Sequence, residues 1–251
     1  MEKLIKSKKR VEKHGEVFTP KWMVNKMLDT PGIVEETYSL ESTFLEPSVG
    51  EGIFLMEILK RKLSIVKKKY NDNLTMYENY SLFVLSTLYG VELLHDNHLS
   101  CVMNVNKVYE QEYEKVCISY SKRPKKNILK SASLILKRNI VQGDFLTGLN
   151  SRNNKIVFNE WKPEFKNNEI VVLRTEYTLE DIKNKQNNDS GSKLSYETEK
   201  QLSIFDILEE KPEEIVKYVY VPCKIRDVHK EVMEEIIILK SNILIVQNNY
   251  Y

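Results

Sequence analysis

One segment, Phe44-Leu45-Glu46-Pro47-Ser48-Val49-Gly50-Glu51-Gly52-Ile53-Phe54-Leu55, constrains this chain more than any other. It reads as a strand end, a Gly-x-Gly turn and the start of an apolar helix. Without Cβ atoms at Gly50 and Gly52 the backbone can pass close to a bound small molecule, and the amides that open the following helix can donate to it. The acidic Glu46 stands just before the turn. The spacing differs from the six-residue dinucleotide fingerprint, and no Lys-Ser or Lys-Thr follows to complete a phosphate loop. A methyl donor built on adenosine, with no phosphates to grip, suits this shortened turn better than NAD or ATP.

Further along, the same build recurs. Leu88-Tyr89-Gly90-Val91-Glu92 is a short apolar strand closed by an acid, and Asn139 to Gly143 before Asp144 makes a third. Apolar residues at helical spacing over Ile53 to Lys69, about Asn73 to Ser86, and Asn97 to Tyr120 alternate with these strands. That rhythm predicts an α/β fold with a mainly parallel sheet and flanking helices. Ligands of such sheets lie across the carboxyl ends of the strands, so Glu46, Glu92 and Asp144 point to one cleft. There Glu92 is placed to accept from two ribose hydroxyls, and Asp144 with Phe145 to accept from an adenine amino group and cover its ring. Each acid taken singly is also consistent with a surface residue capping the next helix.

Ahead of this core, Glu2 to Lys13 reads as a short basic helix or arm. A helix is expected to start at Pro20 with Thr19 as its N-cap and to end at Pro31-Gly32. Beyond the core, Lys155 to Phe158 reads as a strand, Lys183 to Glu197 as a loop or linker, and Gln201 to Leu208 and Val216 to Tyr220 as short apolar pieces. Ile225 to Leu239 is expected to be helical and Asn242 to Val246 to be a buried strand. Trp161 could stack a base, although an aromatic near a turn is more often packed on its own domain. The domain reading is a core over 1–150, an inserted lobe over 151–240 with its linker near 183–197, and a returning core strand and loop over 241–251.

With 251 residues the chain is long enough for a full core, and its net charge is only +2. Two stretches are nonetheless basic: Lys3 to Lys13, and Lys122, Arg123, Lys125, Lys126, Lys130, Lys137 and Arg138. Either could meet phosphates or be a solvated face. Cys101, Cys117 and Cys223 are far apart with no adjacent His cluster, which argues for a reducing compartment and against a metal site. No apolar run reaches the ~18 residues of a membrane span, so a soluble, cytoplasmic protein is expected.

Four segments in order, Gly15-Glu16-Val17-Phe18-Thr19-Pro20, the Glu46 to Phe54 turn, Tyr89-Gly90-Val91-Glu92 and Gly143-Asp144, resemble the cofactor motifs of bacterial S-adenosylmethionine-dependent adenine-N6 DNA methyltransferases of restriction-modification systems. The resemblance covers most of Gly15 to Leu146 and returns at the end of the sequence. It implies a Rossmann-like methyltransferase fold, S-adenosylmethionine as cofactor and DNA as partner. It further implies that Phe18, Thr19 and Pro20 close over the methionine part, and that Glu46, Gly50 and Gly52 support it. Glu92 would hold the ribose, while Asp144 and Phe145 would read the adenine. Glu46 stands where that family more often has Asp, keeping the charge.

The family's Asn-Pro-Pro-Tyr catalytic loop has no direct counterpart here. Ile243-Leu244-Ile245-Val246-Gln247-Asn248-Asn249-Tyr250-Tyr251 resembles its strand and loop with both prolines replaced, leaving Asn248 and Tyr251 as the catalytic candidates. Two prolines fix such a loop, and Asn249 and Tyr250 do not. The sheet is then expected to be incomplete: either a complementary chain supplies its remainder and the target-recognition part, or the chain is a fragment or degenerate relative of such an enzyme. A non-catalytic interaction subunit that keeps the fold is the alternative.

Overall fold

The computed structural model describes residues 5–194, 214–239 and 242–243. It is a mixed α/β structure. A parallel sheet of β1 (Phe44–Glu46), β2 (Leu88–Glu92) and β3 (Ile140–Gln142) runs in the order β1-β2-β3, with Glu46 opposite Gly90 and Glu92 opposite Gln142. Before it come α1 (Lys8–His14), α2 (Lys21–Leu28) and α3 (Val34–Tyr38).

Two helical hairpins connect the strands: α4 (Ile53–Lys69) with α5 (Leu74–Ser86) between β1 and β2, and α6 (His95–Ser119) with α7 (Lys126–Asn139) between β2 and β3. In α4 the residues Leu55, Ile58, Leu59, Leu63 and Val66 are buried at the spacing of one helical face, and Lys67, Lys68 and Lys69 sit at the negative end of the helix dipole. The Asn73 side chain caps α5 by accepting from the Met76 amide at 3.1 Å. At ~1.5 Å per residue α4 and α6 are about 25 and 37 Å long, whereas a five-residue strand spans only ~17 Å. Both helices therefore overrun the sheet, and their far halves pack with α5 and α7 into a second, helical layer.

That layer is rich in tyrosine and holds its buried polar groups in pairs. Tyr113 Oη donates to the fully buried Glu78 at 2.7 Å, Lys125 Nζ reaches the other Glu78 oxygen at 2.8 Å, and the Ser81 and Tyr109 hydroxyls lie 3.0 Å apart. Lys62, also fully buried, donates to the Ser42 carbonyl at 2.6 Å and to Thr87 Oγ1 at 3.1 Å. Burial lowers its pKa to about 8, only partly offset by the charge of Glu36.

The second face of the sheet is covered by a long antiparallel hairpin, β4 (Val157–Lys166) and β5 (Glu169–Thr178), followed by α8 (Leu179–Lys183). Ile156, Phe158 and Leu179 pack there against Val91. At the hairpin tip Asn167 adopts a left-handed conformation, and Asn79 Nδ2 donates to the Asn168 carbonyl at 2.7 Å. β7 (Cys223–Lys224) extends this sheet along β5. A third sheet has the order β6-β8-β9, from β6 (Glu214–Tyr220), β8 (Met233–Leu239) and β9 (Asn242–Ile243).

Several expectations are corrected. The Pro20 helix ends at Leu28 and not at Pro31-Gly32, and Pro20 itself occupies the N-cap with no side-chain capping bond, so Thr19 is not the cap. The helix expected over Ile225 to Leu239 is a 3₁₀ turn, Ile225–Lys230, followed by strand β8, whose Ile236-Ile237-Ile238 run favours a pleated surface over a helix. Asn242–Ile243 pairs antiparallel with β8 rather than joining the parallel sheet. Gln201 to Leu208 and residues 195–197 of the expected linker lie outside the described residues. Trp161 is an anchor, 4% exposed, with Nε1 donating to Asn139 Oδ1 at 2.8 Å.

Asn139 is the junction of these layers. Its amide nitrogen also donates to the Ser86 and Leu88 carbonyls at 3.0 and 3.1 Å, tying the end of α7 to α5, β2 and the hairpin. Asn139→Ala leaves two carbonyls and an indole N–H unpaired in the core, a predicted loss of roughly 2–4 kcal/mol. Urea unfolding should show a lower midpoint with an unchanged slope.

Candidate functional site

A cleft of about 480 Å³ opens at the carboxyl ends of β1 and β2. Its walls come mainly from three stretches far apart in sequence, within residues 14–19 before α2, 46–56 around the Gly-x-Gly turn and 92–97 at the start of α6, and Lys21 on α2 and Asn104 on α6 complete the lining. Its size is ordinary for a small-molecule site.

The turn forms as its glycines require. Gly50 and Gly52 both have positive φ, at 56° and 91°. A Cβ on Gly50 would lie 3.5 Å from the Phe18 ring, so that ring sits over the turn. At Gly52 the constraint is different. A Cβ there would come within 2.8 Å of Cys101 Sγ, so this glycine lets α4 start against α6 and does not line the cleft.

Glu92 binds the two loops together. Its carboxylate, 5% exposed, accepts from the Gly50 amide at 2.8 Å and from the Leu94 amide at 2.9 Å. Nearby the Val49 amide donates to the Val91 carbonyl, and Asn104 Nδ2 on α6 donates to the Glu51 carbonyl, both at 3.0 Å. The turn is thus held before any ligand enters.

Glu46 is in a different electrostatic position. Burial raises its pKa, and the Ser48 amide only partly offsets this. Among the described residues no cation is paired with its carboxylate. The other acids lining the cleft are balanced: Glu16 by Arg10, Glu51 by Lys6 at 2.9 Å, and Glu92 by the backbone donors.

The remaining contacts form a strap invisible in local sequence pattern. Arg10 on α1 bonds both Glu16 and Asp96, with its Nη1 2.9 Å from Asp96, and Lys6 reaches Glu51, Asp96 at 3.2 Å and Asn97. Asn97 Nδ2 donates to Glu16 at 2.9 Å, and the Lys6 ammonium lies 5.8 Å from the Phe18 ring centre. Two cations of the basic arm, Lys6 and Arg10, are therefore taken up by acids of this chain. Hydrogen bonds from Arg10 pull Asp96 down to about 2. Glu16 is raised by burial but lowered more by Arg10 and Asn97, ending below its ordinary value.

Of the residues singled out from sequence, the structure brings Phe18, Thr19, Glu46, Gly50 and Glu92 to the cleft. Pro20 and Gly52 instead stand at the starts of α2 and α4. Asp144 and Phe145 do not join the others. Gly143 bonds back to the Glu92 carbonyl, after which the chain folds into a tight loop bridged at Asp144 and Leu149. There the Asp144 carboxylate accepts from Leu146 at 2.8 Å, and the Phe145 ring packs toward the Val91 cluster beneath the Lys183 ammonium. Asn248 and Tyr251 lie outside the described residues. Among the described residues no group of three or more His, Cys, Asp or Glu is placed to hold a metal, and no helix is long and apolar enough to cross a membrane.

The strap's ion pairs are partly exposed and so open to screening by salt. Arg10→Ala is predicted to speed trypsin cleavage at Lys13 several-fold, with added sodium chloride doing the same to the wild-type chain. Equal cleavage rates in all three samples would contradict the strap.

Comparisons with protein-family models, with curated proteins and with solved structures find no match to this chain.

Proposed function

We propose that this chain is the cofactor-binding part of an S-adenosylmethionine-dependent adenine-N6 DNA methyltransferase with the Rossmann-like fold of that class. The observation that carries the reading is the half-buried Glu46 carboxylate, unpaired with any cation among the described residues, facing a cleft that Glu92 keeps assembled. A buried carboxylate is costly without a positive partner, so the fitting ligand is cationic. S-adenosylmethionine brings an ammonium and a sulfonium and no phosphate. The remaining lone pairs of the Glu92 carboxylate are available to ribose hydroxyls, and exposed Leu93 at the cleft mouth offers an apolar wall to a base.

In this reading Phe18 and Thr19 cover the bound cofactor from above the turn. The base-reading role of Asp144 and Phe145 is not retained, since their loop is folded on itself. When bound, S-adenosylmethionine would supply the methyl group for the adenine N6, with Asn248 and Tyr251 the candidates to orient the base. The DNA target, the adenine specificity and a cytoplasmic setting rest on the motif resemblance. A complementary chain is supported by the free outer edge of β1, which has no ladder partner among the described residues and carries the half-exposed Leu45.

The test is calorimetric titration with S-adenosylmethionine near neutral and at mildly acidic pH, using wild type and Glu46→Gln. Removing the charge is expected to weaken binding about tenfold, ~1.4 kcal/mol. Because the pKa of Glu46 is raised, wild-type affinity should fall as pH drops toward that value, while ordinary carboxylates remain ionised, and the variant should show no such fall. A folded chain that does not bind, or identical pH profiles for both proteins, would refute the reading.

A further inference from the structure

From Lys115 to Gly143 the chain has eight cations and no acid, so the remainder of a chain of total charge +2 is net −6. The structure sorts these cations into two groups. Lys115, Lys125 and Arg138 pair with Glu112, Glu78 and Glu231 at 2.6, 2.8 and 2.9 Å. Lys122, Arg123, Lys126, Lys130 and Lys137 are exposed and have no acidic partner among the described residues.

The unpaired group is ordered in space. At 3.6 residues per turn, Lys126, Lys130 and Lys137 fall within about 40° of one another around α7, making a stripe ~16 Å long. The opposite face is fully buried through Ile128, Ala132, Ile135 and Leu136, which fixes the stripe toward solvent. Ahead of the stripe, Tyr120 Oη donates to the Asn71 carbonyl at 2.6 Å, which sets the loop carrying Lys122 and Arg123 beside the turn that follows the exposed Lys67 and Lys68 of α4. α7 runs into the first residue of β3, so this surface lies toward the sheet end opposite the cleft.

We propose that the α7 stripe is a docking surface for the sugar-phosphate backbone of duplex nucleic acid. Its length matches the rise of about five base pairs, at ~3.4 Å each. No large apolar side chain is exposed on α7 to enter a lipid interface, and the helix contains no aromatic on which an unpaired base could stack. Lysine ammoniums without base-reading partners give affinity without sequence preference. The surface deepens the DNA-directed reading above, yet it stands on charge placement and not on the cleft.

The experiment is fluorescence anisotropy of a fluorescein-labelled duplex of arbitrary sequence over a salt series, with wild type, the triple variant Lys126→Gln, Lys130→Gln, Lys137→Gln, and the corresponding triple Arg variant. Wild type should bind with a steep salt dependence. The Gln variant should bind more weakly on every sequence, its log-log salt slope shallower by about 3, and the Arg variant should restore both. An unchanged urea midpoint establishes that the variants are folded. Absence of wild-type binding, an unchanged slope in the Gln variant, or tighter binding to phosphatidylserine vesicles than to the duplex would each overturn the proposal. Glu92→Ala, which disturbs the cleft, should leave duplex binding intact. A wild-type chain that binds no cofactor but keeps the steep salt slope would therefore count against the methyltransferase reading and not against the stripe.

Discussion

The cleft depends on one carboxylate. Three short parallel strands leave their carboxyl-end loops free to diverge, and Glu92 closes them by accepting from Gly50 on one side and Leu94 on the other. Because the group is buried, these two bonds to its charged form are worth more than exposed ones of the same length. The Gly50 turn carries the Phe18 ring, and Phe18 leads to the strap of Lys6, Arg10, Glu16 and Asp96. Loosening Glu92 would thus release the turn, the aromatic cover and the ligand-facing wall together.

Charge is distributed with the same logic at two ends of the molecule. Around the cleft, acids predominate and are balanced one by one, except for Glu46. At the other end Lys122, Arg123, Lys126, Lys130 and Lys137, on α7 and the turn before it, have no acidic partner among the described residues. The first arrangement suits a small cationic ligand, the second an extended polyanion. Between them lies a helical layer whose buried ionic and phenolic groups, Glu78 with Tyr113 and Lys125, are satisfied internally. It acts as a spacer holding the two surfaces apart.

Much of the core was legible in sequence because its signals are local. The apolar spacing of α4 runs from Ile53 to Lys69 as expected, and β2 has the expected bounds at Leu88 and Glu92. Helix α7 is masked in sequence by its lysines, which read as a charged stretch, although Ile128, Ala132, Ile135 and Leu136 supply a helical face between them. In β8 the apolar run Ile236-Ile237-Ile238 fits helical and strand spacing alike, and its crowding of β-branched residues decides for the strand. The strap could not be read at all, since residues 10 and 96 meet only after the sheet has formed. Asp144 failed for the same reason in reverse: a strand-end acid reaches a cleft only if the following loop stays open, and here Leu149 and Ile156 draw that loop back onto the sheet.

The most direct test of this account is an amide NMR titration of the isotopically labelled chain with S-adenosylmethionine. The account predicts the largest shifts at Gly50 and Leu94, whose amides bond the Glu92 carboxylate, and at the adjacent Glu51, with Phe18 following and α7 unmoved. A well-dispersed spectrum that does not change with millimolar cofactor, or one whose changes fall on α7 and spare the Gly50 turn, would contradict it.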